Sequence, residues 1–367
     1  MKKDVINWAA GCAGTKRISK ETLNHRELIE RVSGLDVYRN TAEAYRRAYQ
    51  ALGIDLINRV PLENAPPPVS SGTTCPHPEH PDYEISPLGV YDTAARMRGA
   101  CRDADDVWSF DMQQLCYTDL ITPVPHPCDA KDICTRETAG GDIGQYYPML
   151  YTTLFMWPVE VFGWEIFMTA AFEDPDRFFD HVLRPCISKS RALVAEMVKG
   201  SSSPVIFVHD DLCDARGPVF PPGWYDEYIF PHYAQILEPA RAAGRKVVLV
   251  ADGNLTAFLP RLVQTGFDGL MFENPATPLD EILKTFDRPE HLLIGGIETV
   301  KLTMGTPDEI KEMVLSVHEK ICDRPGFAFA CCGGLHGNIP LKNLEAYFDA
   351  RAEVGVTPRD WRTVCKK

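Results

Sequence analysis

No stretch of this chain stays apolar for the roughly 20 residues that a membrane-crossing helix needs. The longest apolar runs, around Tyr147 to Phe162 and Val247 to Ala251, are broken by proline, glutamate or turn residues. The opening residues, MKKDVINWAAGCAGTKRISK, lack the apolar core of a secretion signal, because Asp4, Asn7 and later charges interrupt them. A cytoplasmic protein without membrane association is expected. Cysteine is too sparse for a disulfide framework: the 12 present are scattered, and only Cys331 and Cys332 adjoin. Reduced thiols are the simpler expectation. Basic charge is also short, with 38 Lys and Arg against 51 Asp and Glu and a net charge of −13. That balance repels nucleic acid, and it repels a polyanionic substrate unless a local basic pocket offsets it.

What remains is the composition of a globular enzyme. With 45% hydrophobic and 24% charged residues, the 367-residue chain can bury a large core. One α/β barrel with insertions uses this length without a second domain. Apolar residues three and four apart predict a helix from Asn24 to Leu52, stopped by Gly53. The stretch 61–83 is rich in Pro, Ser and Thr and predicts a long surface loop. Its His77 and His80 are expected to be solvated there rather than bound to metal.

From Asp174 onward the pattern becomes regular. A helix from Asp174-Pro175 to Gly200, bent at Pro185, precedes five short β-rich runs, at 204–208, 246–250, 268–272, 291–294 and 326–330. Helical patterns at 224–243, 255–265, 279–286, 306–320 and 341–352 follow them in turn. This alternation signals βαβ units and a parallel sheet, and the lack of a glycine-rich dinucleotide turn favours a barrel over a doubly wound sheet. The expected fold is an α/β, TIM-type (β/α)8 barrel. Residues 1–100 are expected as an N-terminal helical and loop extension packed on a barrel of residues 101–367, together forming one structural domain.

In such a barrel, chemistry gathers where strands hand over to loops. Here the strands end in His209-Asp210-Asp211, Asp252-Gly253-Asn254, Glu273-Asn274, Gly296-Ile297-Glu298 and Cys331-Cys332-Gly333-Gly334-Leu335-His336. Any one of these is as readily a helix cap as a functional group. Their joint appearance at five ends is the signal.

The run HDDLCDARGPVFPPGWYDEYIFPHYAQILEPARAAGRKVVLVADGN, followed by FDGLMFENP, LLIGGIET and GGLHGNIPLKNLEAYFDA, resembles the uroporphyrinogen-decarboxylase-like superfamily, which includes corrinoid-dependent methyltransferases. Two departures narrow what the resemblance implies. The decarboxylases carry an arginine-containing segment like FMRQAGRY that binds porphyrinogen carboxylates, and nothing like it occurs here. The thiol-methylating members carry a zinc-binding His-x-Cys-Gly pattern where this chain has Val250, Asp252 and Gly253.

The resemblance therefore implies a methyltransferase that removes a methyl group from an oxygen of a methoxylated small molecule, aromatic ethers included. The methyl passes to the cobalt of a corrinoid carried by a partner protein, making this chain the O-demethylase component. Carboxylate ligands leave zinc more Lewis-acidic than thiolates do, which suits an ether oxygen. Asp252, Glu273 and Cys332 are the expected Zn2+ ligands, with His209 and Cys331 as substitutes. His209, Asp210, Asp211 and His336 are expected to be catalytic, and Asn254, Glu298 and Asn338 to bind substrate. The alternatives are a metal-free decarboxylase or lyase of the same superfamily, with Asp210, Asp211 or His336 as proton donor, and a thiol-directed methyltransferase with altered metal ligands. A non-catalytic barrel that stores or delivers a ligand is a third.

Overall fold

The computed structural model describes residues 3–12, 17–57, 75–76, 84–85, 101–112, 129–139, 144–145 and 149–362. Nine parallel strand segments make one sheet: β1 Ile18–Lys20, β2 Leu56–Ile57, β3 Gly144–Gln145, β4 Met149–Leu150, β5 Val205–His209, β6 Lys246–Ala251, β7 Gly269–Phe272, β8 Leu292–Ile297 and β9 Phe327–Cys331. Their order in space is β3-β2-β1-β9-β8-β7-β6-β5-β4. The two ends, β3 and β4, are separated by only three residues in sequence, so the row returns on itself. The fold is an eight-stranded TIM-type barrel.

Strand alternation sorts the side chains into two cores. Inside the barrel lie Ile18, Leu56, Val205, Phe207, Val248, Val250, Met271, Leu292, Ile294, Ala328 and Ala330. Helix Lys3–Ala9 adds Val5, Trp8 and Ala9 to this cluster. Because Val205 and Leu292 begin their strands, that helix closes the amino end of the barrel. The alternate residues, such as Ile206, Val208, Leu249 and Leu270, pack outward under the helices.

The five βα units from residue 204 follow the expected order, with helix boundaries set by proline and glycine. The helical stretch 224–243 is three short helices, Pro222–Tyr228, Phe230–Ile236 and Glu238–Ala242, restarting where Pro231 and Pro239 remove a backbone donor. The helix expected from 255 begins only at Leu259, followed by Pro260. Residues 175–200 are continuous, with a π-helical segment, Phe179–Leu183, just before Pro185. The wider turn makes room where a proline ring would crowd the carbonyl four residues back.

The first half departs further from expectation. The single helix predicted over 24–52 is two, Arg26–Ser33 and Thr41–Leu52, because Gly34 takes a left-handed φ of 71° that ends the first. Residue 100 does not mark where the barrel starts, since β1 and β2 both precede it. Of the stretch 61–83, the backbone of Cys75–Pro76 pairs with Glu84–Ile85, while His77 and His80 lie outside the described residues.

A buried ionic link joins the two ends of the fold. Glu21, just past β1, accepts from Arg351 Nη1 at 2.8 Å and from the Tyr347 hydroxyl at 2.5 Å, both on helix Leu341–Glu353. Arg351 also donates to Ser19 Oγ, and Glu21 accepts from the Cys331 amide at 3.3 Å. Removing one partner of such a buried pair costs about 3–5 kcal/mol, because the other charge is left uncompensated.

Candidate functional site

Counting two residues at a time along each inward row leads out of the apolar interior into a polar mouth. Beyond Phe207 come His209 and Asp211; beyond Val250, Asp252; beyond Met271, Glu273; beyond Ala330, Cys332; beyond Ile18, Lys20; and beyond Met149, Tyr151. Register makes neighbours of the first three rows. Val250 pairs with His209 and Ala251 with Phe272, so Asp211, Asp252 and Glu273 leave three adjacent strands at matching positions. The Asp252 amide donates to Asp211 Oδ1 at 2.8 Å, which ties the ends of β5 and β6 together.

Among the described residues, the side chains whose ligand atoms converge are His209, Asp211 and Asp252, all within 4.8 Å of one another. His209 is held by the Tyr151 carbonyl, to which Nδ1 donates, and the Tyr151 ring stacks on its imidazole with centroids 4.8 Å apart. That bond directs Nε2 toward Asp211 Oδ1, 3.2 Å away. Burial opposes charge on His209, but the Asp211 carboxylate, its hydrogen bond and Asp252 together raise the imidazole to about 10. Burial and the charge of Asp211 push Asp252 up to about 7, His209 opposing and Glu273 adding to the rise. Glu273 is raised by burial and by Asp211. Two carboxylates thus crowd one imidazole with Glu273 beside them, and the surplus negative charge favours a proton or a cation at their centre.

The other expected site residues are placed differently. Glu273 and Cys332 are not among the side chains whose ligand atoms converge: Cys332 leaves β9, three strands from β6, while Glu273 leaves the adjoining β7 and acts on Asp252 through its charge. Cys332 does face inward, its thiol pushed well up by burial, whereas Cys331 faces the outer core against Thr299 at 3.2 Å. Asp210 points away from the mouth. It is wholly buried on the outer face, where its carboxylate accepts from the amides of Leu154, Phe155 and Met156 and from the Tyr233 hydroxyl. His336 lies on the short strand paired with Leu23–Asn24, beside His25, and Asn338 is exposed in the turn that follows. Asn254 is occupied by its own turn, accepting from the amide and hydroxyl of Thr256. Glu298 lines an outer cleft of about 530 Å³ with Lys301, Met313 and Lys320, because Gly295 and Gly296, at φ of 154° and 95°, break the alternation of β8. Lys20 and Tyr151 were missed, since both follow strand segments too short to leave a periodic signal.

Residues 162–354, just over half of the chain, match the family model described as Uroporphyrinogen decarboxylase (URO-D). The chain belongs to the URO-D family. The match takes in β5 to β9 and with them His209, Asp211, Asp252, Glu273 and Cys332, while Lys20 and Tyr151 precede it. Among solved structures, a methyltransferase from Methanosarcina mazei is 14% identical, with 96% of this chain and 98% of that chain covered and a TM-score of 0.57. At that identity the likeness concerns the fold, which this URO-D family member shares over nearly all of its length. An uncharacterized protein is 10% identical over 93% of this chain and 74% of that chain, with a TM-score of 0.30, too low to indicate a shared fold. No curated protein matches the chain significantly. No helix among the described residues is long and apolar enough to cross a membrane.

Proposed function

We propose that this URO-D family member is a cytoplasmic methyltransferase that removes a methyl group from an oxygen of a methoxylated small molecule and passes it to the cobalt of a corrinoid carried by a separate protein. The observation that carries the reading is the convergence of His209, Asp211 and Asp252 at the barrel mouth. Membership of the family and the fold shared with a methyltransferase support it.

The three side chains suit Zn2+. Their ligand atoms lie within 4.8 Å of one another, so a small inward movement of the side chains would bring all three to the Zn2+ bond lengths of about 2.0–2.2 Å. His209 is oriented from behind by a backbone carbonyl, the usual arrangement for a ligating imidazole. Zinc held by His209, Asp211 and Asp252 would supply Lewis acidity to an ether oxygen. The chain's own residues do the rest. His209 and Asp252 give up protons when a metal binds, whereas Asp211, held below its usual range by His209, is already ionised. Tyr151 presents an aromatic wall beside His209. The inner core below excludes water from the floor.

A metal-free proton-transfer enzyme of the same family is the second reading, favoured by the raised His209 and Asp252. Metal analysis of the purified protein, joined to a screen of methoxylated compounds for methyl transfer to free cob(I)alamin, separates the two. Stoichiometric zinc and zinc-dependent transfer are expected, with His209→Ala, Asp211→Ala and Asp252→Ala each lowering both together. Full zinc content in all three variants, or catalysis unaffected by chelation, refutes the zinc site.

A further inference from the structure

Lys20 stands on the wall facing that site. It ends β1 two residues beyond Ile18, a member of the inner cluster, so alternation turns its side chain into the barrel. It pairs level with Ala330 on β9, two residues before the inward Cys332. Counting along the sheet, β1 and β6 are four strands apart, half of an eight-stranded ring, so Lys20 and Asp252 occupy opposite walls of the mouth. Lys20 is only 1% exposed, and its Nζ donates to Thr22 Oγ1 at 3.2 Å. The neighbouring Glu21 points the other way, into the link with Arg351 and Tyr347. The ammonium acts across the opening: it helps hold down the Asp252 carboxyl and the Cys332 thiol against the burial that raises both.

We propose that Lys20 is a further catalytic residue, whose ammonium faces the substrate oxygen from which the methyl group departs. This rests on the methyltransferase reading above. As the methyl carbon bonds to the electron pair of its acceptor, its bond to oxygen breaks and that pair stays on oxygen. The resulting alkoxide or phenoxide takes a proton from water on release. A cation fixed opposite the ligand cluster, and itself buried, stabilises the charge as it develops and needs no reorganisation to do so. The substrates favoured are those whose leaving oxygen bears full negative charge.

The test uses the full chain loaded with zinc, free cob(I)alamin as acceptor, and two ethers of different leaving ability, methoxybenzene and 4-nitromethoxybenzene. Lys20→Met is expected to slow transfer from methoxybenzene about 100-fold or more, the scale of losing one oxyanion donor. Transfer from the nitro ether, whose phenoxide needs little help, is expected to fall less than about 10-fold, and Lys20→Arg to recover part of the loss. Equal losses on both ethers overturn the proposal. A second readout is independent of turnover. Bound 4-nitrophenol, followed by its phenolate absorbance, is expected to ionise at lower pH on the wild-type protein and to lose that shift in Lys20→Met at unchanged zinc content. If Lys20→Met does not fold, Lys20→Gln serves the same comparison. No preference for the phenolate in the wild type, or an unchanged preference in the variant, overturns the proposal. Should the wild type transfer no methyl group while nitrophenol ionisation still depends on Lys20, the oxyanion site stands and the methyltransferase reading falls.

Discussion

Asp210 and Asp211 are adjacent, and their replacement is expected to fail in opposite ways. Asp210 is wholly buried and receives four hydrogen bonds: from the amides of Leu154 and Phe155 at 2.9 Å, of Met156 at 2.7 Å, and from the Tyr233 hydroxyl at 2.6 Å. Asp210→Ala leaves those donors buried without acceptors, each at about 1–3 kcal/mol, so a loss of about 4 kcal/mol or more is expected even with partial relaxation. Unfolding entropy of about 2.1 cal/mol/K per residue converts that to a fall in Tm of about 5 °C for a chain of this length. Asp210→Asn keeps one acceptor oxygen, enough for the three donors at Oδ2, and is expected to lose roughly half as much. Asp211 accepts one backbone amide and otherwise faces His209, Asp252 and Glu273. Its removal relieves the repulsion of Asp252 and Glu273 but takes the counter-charge from His209, which then sheds its proton, so Asp211→Ala is expected to lose less stability than Asp210→Ala while zinc is lost. Urea titration of chelator-treated proteins measures this without the stabilisation that bound metal adds. An Asp210→Ala midpoint equal to that of the wild type, or an equal loss in Asp211→Ala, refutes the division of roles.

Three further outcomes follow from the same site. Ligation requires Asp252, raised to about 7, and His209, raised to about 10, to give up their protons, so zinc affinity should fall with falling pH. Chelator competition should give about a 10-fold drop per pH unit above 7 and about 100-fold below, and a flat profile would exclude these ligands. Gly253 has a φ of 82°, and a Cβ there would meet the Cys213 carbonyl at 2.4 Å, so Gly253→Ala is expected to displace Asp252 and weaken zinc binding at least 10-fold by calorimetry. The mouth that gathers Asp211, Asp252 and Glu273 repels polycarboxylates, so the pure protein is expected not to decarboxylate uroporphyrinogen; product detected by fluorescence after oxidation would contradict this.

The second half of the barrel was legible because its strands are runs of four to six residues and its helices are punctuated by Pro and Gly, signals that act locally. The start was not: β1 and β2 have three and two residues, and β1 earns its place by pairing with β9, more than 300 positions away. Lys20 was lost with it. At the strand ends the residue types were readable but their directions were not. His209, Asp210 and Asp211 look equally chemical in sequence, and alternation sends the middle one outward to the start of helix Met156–Phe162. Both β5 and β7 adjoin β6, so sequence could not tell which of Asp211 and Glu273 turns its carboxylate onto Asp252, and Cys332 sits three strands away.

The ionic link of Glu21 with Arg351 also bears on the order of assembly. During synthesis β1 emerges early, yet its partner strand β9, and the guanidinium that neutralises the carboxylate behind it, are made near the end. Until then β1 offers an open edge and Glu21 an unmatched charge, so the ring cannot be sealed by the ribosome's early output. Closure is a late, long-range event, and the nascent chain must keep that edge from pairing with other chains for most of its translation.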